Sequence, residues 1–223
     1  MKLNNLILLS VGAFLLSSAS TFAQQTQSQL GSVFSMENES SHQNLWFTFS
    51  PSLSSVTNEN TYTYNDYQTF SLGYTISRPL KDSSLPLLVE SGIYASLLNY
   101  TKSNKHTGNL VSLKVPANLL LHIGLSPDFV IYPYAGLYGK LNVFGRETYQ
   151  TTTSDGTVKK TLNLLDKGDM GNGAIKYFLI GYQGGVRLRF SRYYASFEYE
   201  SSFTNWTSSA KYHLTSFGIG LMF

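Results

Sequence analysis

The chain has 223 residues, of which 13% are charged, 14% are aromatic and none is cysteine, and its formal net charge at pH 7 is +3. Water-soluble domains carry nearer a quarter charged residues, so a fully hydrated surface is a poor fit, and the missing cysteine excludes both a disulfide scaffold and a lipid-modified amino-terminal cysteine. No basic cluster points to nucleic acid, and no segment after the amino terminus approaches the 18 consecutive apolar residues of a helical membrane span.

Lys2, an apolar run from Leu6 to Leu16 and small residues ending at Ala23 follow the order of a secretory signal. Removal of residues 1–23 is expected, and the polar stretch Gln24 to Gln29 follows at once instead of a stop-transfer pattern. Residues 24–43 show no strong period and are expected to be a loose periplasmic lead-in to a patterned region, 44–223.

In that region a period-two alternation recurs, with one parity apolar and the other small, polar or charged, which is a strand wet on one side. The first segment sets Leu45, Phe47, Phe49 and Leu53 against Trp46, Thr48, Ser50 and Ser52. The second opposes Phe70, Leu72, Tyr74 and Ile76 to Thr69, Ser71, Gly73, Thr75 and Ser77. The third opposes Leu87, Val89, Ile93, Ala95 and Leu97 to Glu90, Gly92, Tyr94 and Ser96. In the fourth, Val111, Leu113, Val115, Leu119, Leu121 and Ile123 face away from Ser112, Lys114, Asn118 and His122. The fifth alternates Ile131, Ala135, Leu137, Leu141 and Val143 with Tyr132, Tyr134, Tyr138, Lys140 and Asn142. The sixth sets Phe178, Ile180, Tyr182, Val186, Leu188 and Phe190 against Tyr177, Gln183, Arg187 and Arg189. The seventh places Tyr193, Ala195, Phe197 and Tyr199 opposite Tyr194, Ser196, Glu198 and Glu200, and the eighth Phe217, Ile219, Leu221 and Phe223 opposite Ser216, Gly218 and Gly220.

The connections alternate in length. Arg78 to Ser84, Gly124 to Asp128, and Ser191 with Arg192 are short, whereas Ser54 to Asp66, Asn99 to Asn109, Gly145 to Gly173 and Ser201 to Ala210 are longer and polar. Short turns on one side and long loops on the other is the asymmetry of outer-membrane barrels, the short turns being periplasmic. The predicted fold is all-β: an eight-stranded antiparallel up-and-down transmembrane barrel with both termini in the periplasm. Within the longest loop, Asp155-Gly156 suits a type I′ turn and predicts a hairpin outside the membrane, on a glycine-rich and mobile base from Asp166 to Gly173. Pro116 and Pro133, each removing a ladder donor, predict a shared bulge or bend.

Lys114 to Leu120 (KVPANLL), Tyr134 to Tyr138 (YAGLY), Gly181 to Val186 (GYQGGV) and the ending Phe217 to Phe223 (FGIGLMF) resemble the small outer-membrane protein β-barrel domain family, which includes OmpX-like and PorT-like proteins. The resemblance covers roughly Leu45 to Phe223 and implies a barrel in the cell outer membrane of a Gram-negative envelope. The loop between Phe144 and Ala174 departs from it in length, so a function borne by that loop need not be shared.

The charges on the inward parity are Glu90, Lys114, Lys140, Arg187, Arg189, Glu198 and Glu200. Isolated in a narrow lumen each is costly, and paired they are tolerable, so the first expectation is an ion-pair network, with Arg187 and Arg189 facing Glu198 and Glu200 across the turn at Ser191 and Arg192. A proton or ion path is the sharper alternative. For catalysis the best constellation is His213 with Thr215, near Ser208, Ser209 and Ser216, but no acid two or three positions away orients the ring. His42, His106 and His122 lack metal-ligand spacing, and nothing calls for a cofactor. Tyr100, Phe203 and Tyr212 suit an interfacial girdle, Tyr62, Tyr64 and Trp206 suit contacts made by the loops, and the terminal Phe223 resembles the signal read by the barrel insertion machinery.

The reading is a monomeric, non-enzymatic barrel with a structural or interaction role, carried by its extracellular loops or as an envelope-complex subunit. A narrow pore or transport accessory is the runner-up, and a lipid-modifying enzyme comes third. Partners are outer-membrane lipid including lipopolysaccharide, the insertion machinery, and an extracellular or envelope protein.

Overall fold

The computed structural model describes residues 41–223 except 57–60, 65–66, 81–84, 104–105, 154–155, 172–173 and 209. The signal segment 1–23 and all but the last three residues of the lead-in therefore lie outside the described residues. Twelve strand segments are present: β1 (His42–Ser50), β2 (Leu53–Val56), β3 (Thr61–Tyr64), β4 (Tyr67–Pro79), β5 (Leu87–Ser103), β6 (His106–Leu121), β7 (Ile123–Ser126), β8 (Phe129–Thr153), β9 (Gly156–Asn163), β10 (Phe178–Phe190), β11 (Tyr193–Ser202) and β12 (Lys211–Met222). β1 starts two residues before the expected boundary at residue 44, because His42 is buried inward against Tyr194.

These segments form eight staves. β1 with β2, β3 with β4, β6 with β7, and β9 with β10 each make one stave, while β5, β8, β11 and β12 stand alone; all pairings are antiparallel. β1 pairs β12 from Asn44 opposite Met222 to Phe49 opposite Phe217, so the sheet closes and leaves no edge there.

Alternation sorts the two faces. One outward residue from each stave, Phe47, Leu72, Ile93, Val115, Leu137, Ile180, Phe197 and Phe217, is an exposed large hydrophobic. In water such a belt costs about 25 cal/mol per Å²; against lipid it costs nothing. No described helix is long and apolar enough to cross a membrane, so the crossing is made by strands.

Two one-residue bulges reset the alternation. The register between β12 and the first stave steps by one at Pro51–Ser52, so Leu53, expected on the lipid face, is buried in the interior. On β8 the step falls opposite Val111 and Ser112, leaving Val143 unpaired. Val143 and Phe144 both point outward, and Gly145 and Glu147 then point inward. Pro116 and Pro133, by contrast, sit in register opposite Tyr138 and Val186, so the bulge expected at the prolines lies elsewhere.

Phe190 pairs with Tyr193 around the two-residue turn, and Ser191 has φ 54°. Positive φ at the first central residue alone is the type II′ pattern, whose twist matches the strands it joins. The long connections are largely strand: β2 and β3 form a hairpin, β5 and β6 approach to Ser103 opposite His106, and β8 with β9 rises as a ribbon to Thr153 opposite Gly156. That register puts the joining residues at 154–155, outside the described residues, and Gly156 on the strand, not in the turn.

Candidate functional site

The lumen is packed in three layers. Nearest the short turns, Trp46, Leu88, Leu120, Val130, Tyr132 and Tyr194 form an apolar floor. Above them Glu90 is fully buried. Its Oε1 accepts from Asn118 at 3.0 Å, and its Oε2 from Thr75 at 3.1 Å, from Ser77 at 3.2 Å and from the Arg187 guanidinium. Arg187 lies between the faces of Trp46 and Tyr134, at 4.4 and 4.5 Å from the ring centroids. It therefore pairs across the barrel with Glu90 and not with Glu198 or Glu200 on the adjacent stave. Register explains the change: Arg187 stands opposite Ser196, while the two glutamates stand opposite Gly185 and Gln183.

The middle layer joins Lys114 Nζ to Glu198 at 2.7 Å and to Glu200 at 2.8 Å, with Lys140 Nζ 3.4 Å from Glu200. Tyr134 donates to Glu198 at 2.6 Å and Tyr212 to Glu200 at 3.0 Å. Both oxygens of each of the three carboxylates are thus bonded, which is what makes buried charge tolerable. Arg189 lies apart, over the Tyr132 ring at 5.5 Å.

The third layer closes the long-loop end. Leaving β9 at Asn163, the chain turns into the mouth and returns at β10, so this stave is interrupted where Leu164 donates to Gly145 O and Asn142 to Tyr177 O. Tyr177, expected to face inward, is exposed at this bend. Leu164, Leu165 and Ile175 pack with Leu53, Leu98, Leu110, Leu179 and Trp206. A Cβ at position 145 would lie 2.9 Å from Leu164 Cβ, so glycine makes room for the plug. The helical turn Lys167–Met170 is capped by Asp166, which accepts from Gly168 N at 2.8 Å, and Asp169 accepts from Asn163 N at 2.8 Å. The base expected to be mobile is therefore packed and bonded. Between plug and ion pairs a cavity of about 10 Å³, the space of one water, is bordered by Thr69, Ser112, Lys140 and Asn142.

Three further expectations change. Trp206, expected as a surface contact, is 8% exposed and packs against Tyr212 within the plug. Tyr100 and Tyr212, expected in the girdle, are buried in the lumen; Phe203 is exposed on the outer wall. β3 places Tyr62 and Tyr64 opposite Ser55 and Leu53, and their side chains lie outside the described residues. Glu147 was missed altogether: the bulge turns it inward, where it meets the Tyr100 hydroxyl. Leu164, Leu165 and Ile175 were missed too, and their signal was apolar residues in an otherwise polar loop.

At the carboxyl terminus Phe223 is exposed and its N–H donates to Gln43 O at 2.9 Å. On the outer wall, His213 Nδ1 meets the Tyr199 hydroxyl at 2.6 Å; a phenol, not a carboxylate, orients the ring. Among the described residues no group of His, Asp and Glu is arranged to hold a metal ion.

A closed eight-stave barrel with an apolar outer belt, a filled polar interior, short turns at one end and long hairpins at the other defines a small outer-membrane β-barrel protein. Among solved structures, the chain is similar to the attachment invasion locus protein Ail of Yersinia pestis, at 11% identity and a TM-score of 0.41 over 82% of this chain and 97% of that one. It is similar also to Neisserial surface protein A, at 14% identity and 0.41 over 83% and 100%, and to the outer membrane enzyme PagL, at 10% and 0.42 over 80% and 98%. At these values the likeness assigns no activity. No family model and no curated protein matches the sequence.

Proposed function

We propose that this barrel serves the outer membrane as a structural or interaction protein and not as an enzyme, its contacts carried by the long-loop end, alone or within an envelope complex. The observation that supports this is the contrast at that end. The interior is filled and plugged, while the β8–β9 ribbon extends past the plug with Val158, Lys159, Lys160 and Thr161 exposed. The reading takes the chain as a monomer that needs no cofactor, with Phe223 read by the insertion machinery, outer-membrane lipid around the wall and an extracellular or envelope protein at the ribbon.

The test replaces Thr148 to Thr161 with Asn-Gly and keeps Leu164 to Ile175. The shortened protein retains the faster gel migration of an unboiled barrel, and crosslinks that a photoreactive residue at Lys160 forms in wild-type envelopes map the partner. Loss of that partner from the shortened protein in co-purification supports the ribbon as its site. Unchanged co-purification overturns the assignment.

A further inference from the structure

The outward ladder shared by β11 and β12 changes character along its length. Ala195 pairs with Ile219, Phe197 with Phe217, Tyr199 with Thr215 and Ser201 with His213. Toward the short turns it is apolar, with the Phe197 and Phe217 rings edge to face at 5.5 Å. Toward the long loops it becomes polar: the Tyr199 and His213 rings stack at 5.9 Å and are tied by the 2.6 Å bond to Nδ1. Two residues on and on the same parity, Lys211 is exposed, and the Tyr182–Phe203 pair, 5.1 Å between centroids, flanks the group. Glu198 and Glu200 point the other way, into the lumen, where Lys114 and Lys140 hold them. Among the described residues, the outward parity of β10, β11 and β12 carries no carboxylate.

Apolar below, hydroxyl and imidazole in the middle and cationic above is the profile of a lipid read from tail to headgroup. A polar ring facing acyl chains without a partner is costly, and an ammonium at that boundary favours a phosphate. When the phenol donates to Nδ1, the imidazole proton sits on Nε2, which is then a donor aimed away from the Tyr199 side. We propose that this ladder binds an outer-leaflet lipid with a phosphorylated headgroup, its phosphate held by Lys211 Nζ and His213 Nε2 and its acyl chains lying along Phe197 and Phe217. The inference rests on the membrane placement of the barrel and is independent of the role given to the β8–β9 ribbon.

The test uses full-length barrel purified in neutral detergent in its heat-modifiable form, mixed with bisphosphorylated lipid A or with the same lipid dephosphorylated, retained lipid being counted by native mass spectrometry. Wild type retains the phosphorylated lipid, and Lys211→Ala with His213→Asn weakens retention about tenfold, the loss of one charge-assisted contact. Tyr199→Phe, which keeps the ring and its packing, weakens it less. Lys160→Ala, on the ribbon, leaves it unchanged. Equal retention by wild type and the double variant overturns the proposal, as does equal binding of the dephosphorylated lipid. Inorganic phosphate displacing the lipid at matching concentrations overturns it in favour of a plain anion site. Should the double variant lose its heat-modifiable form, Lys211→Gln and Tyr199→Phe singly carry the test.

Discussion

At the residue scale the pairing of Arg187 with Glu90 has the largest measurable consequence. Arg187→Ala leaves a fully buried carboxylate without its cation, a loss of about 3–5 kcal/mol, to be read from urea unfolding in lipid vesicles. A double-mutant cycle shows strong coupling of Arg187 to Glu90 and weak coupling to Glu198; strong Arg187–Glu198 coupling would contradict the geometry. Phe223 gives a different readout. Its side chain is exposed and only its N–H is bonded within the barrel, so deleting it removes little packing. A fall in the folded fraction in cells, with unimpaired refolding in vitro, marks it as a recognition signal; equal loss in both marks it as structural.

At the element scale the plug carries the prediction. Leu165 is 6% exposed among aliphatic neighbours, so Leu165→Ala costs about 2–5 kcal/mol, whereas Val158→Ala on the exposed ribbon costs under about 0.5 kcal/mol. Equal effects in thermal unfolding would show that the segment is not packed in the mouth. The staves themselves were legible, since alternation and connection lengths are local signals, and so was the Ser191–Arg192 turn. What was not legible is where alternation resets. The bulges at Pro51–Ser52 and at Val143 depend on how neighbouring staves slide past one another, and each moved a residue, Leu53 or Glu147, to the other side of the wall. Inward charges could be named from parity, but the partner of Arg187 lies across the barrel, where only closure brings Glu90 within reach.

For the whole molecule, an apolar floor, two layers of satisfied charge and an apolar plug leave no water-filled path. Planar bilayers with the wild-type protein therefore show no steady conductance, and deleting Leu164 to Ile175 does not by itself open one, because the Lys114 and Arg187 layers remain. Ohmic steps from wild type would refute this. The same cross-barrel pairing bears on assembly. Glu90 and Arg187 are 97 residues apart, and Lys114 is 84 from Glu198, so a sheet lacking its last three staves holds Glu90 and Lys114 without these counter-ions. Bare charges of this kind are not admitted to hydrocarbon. Membrane entry is thereby coupled to the arrival of the carboxyl-terminal hairpin, and truncated chains are rejected by their own unbalanced interior before any quality-control protease need inspect them.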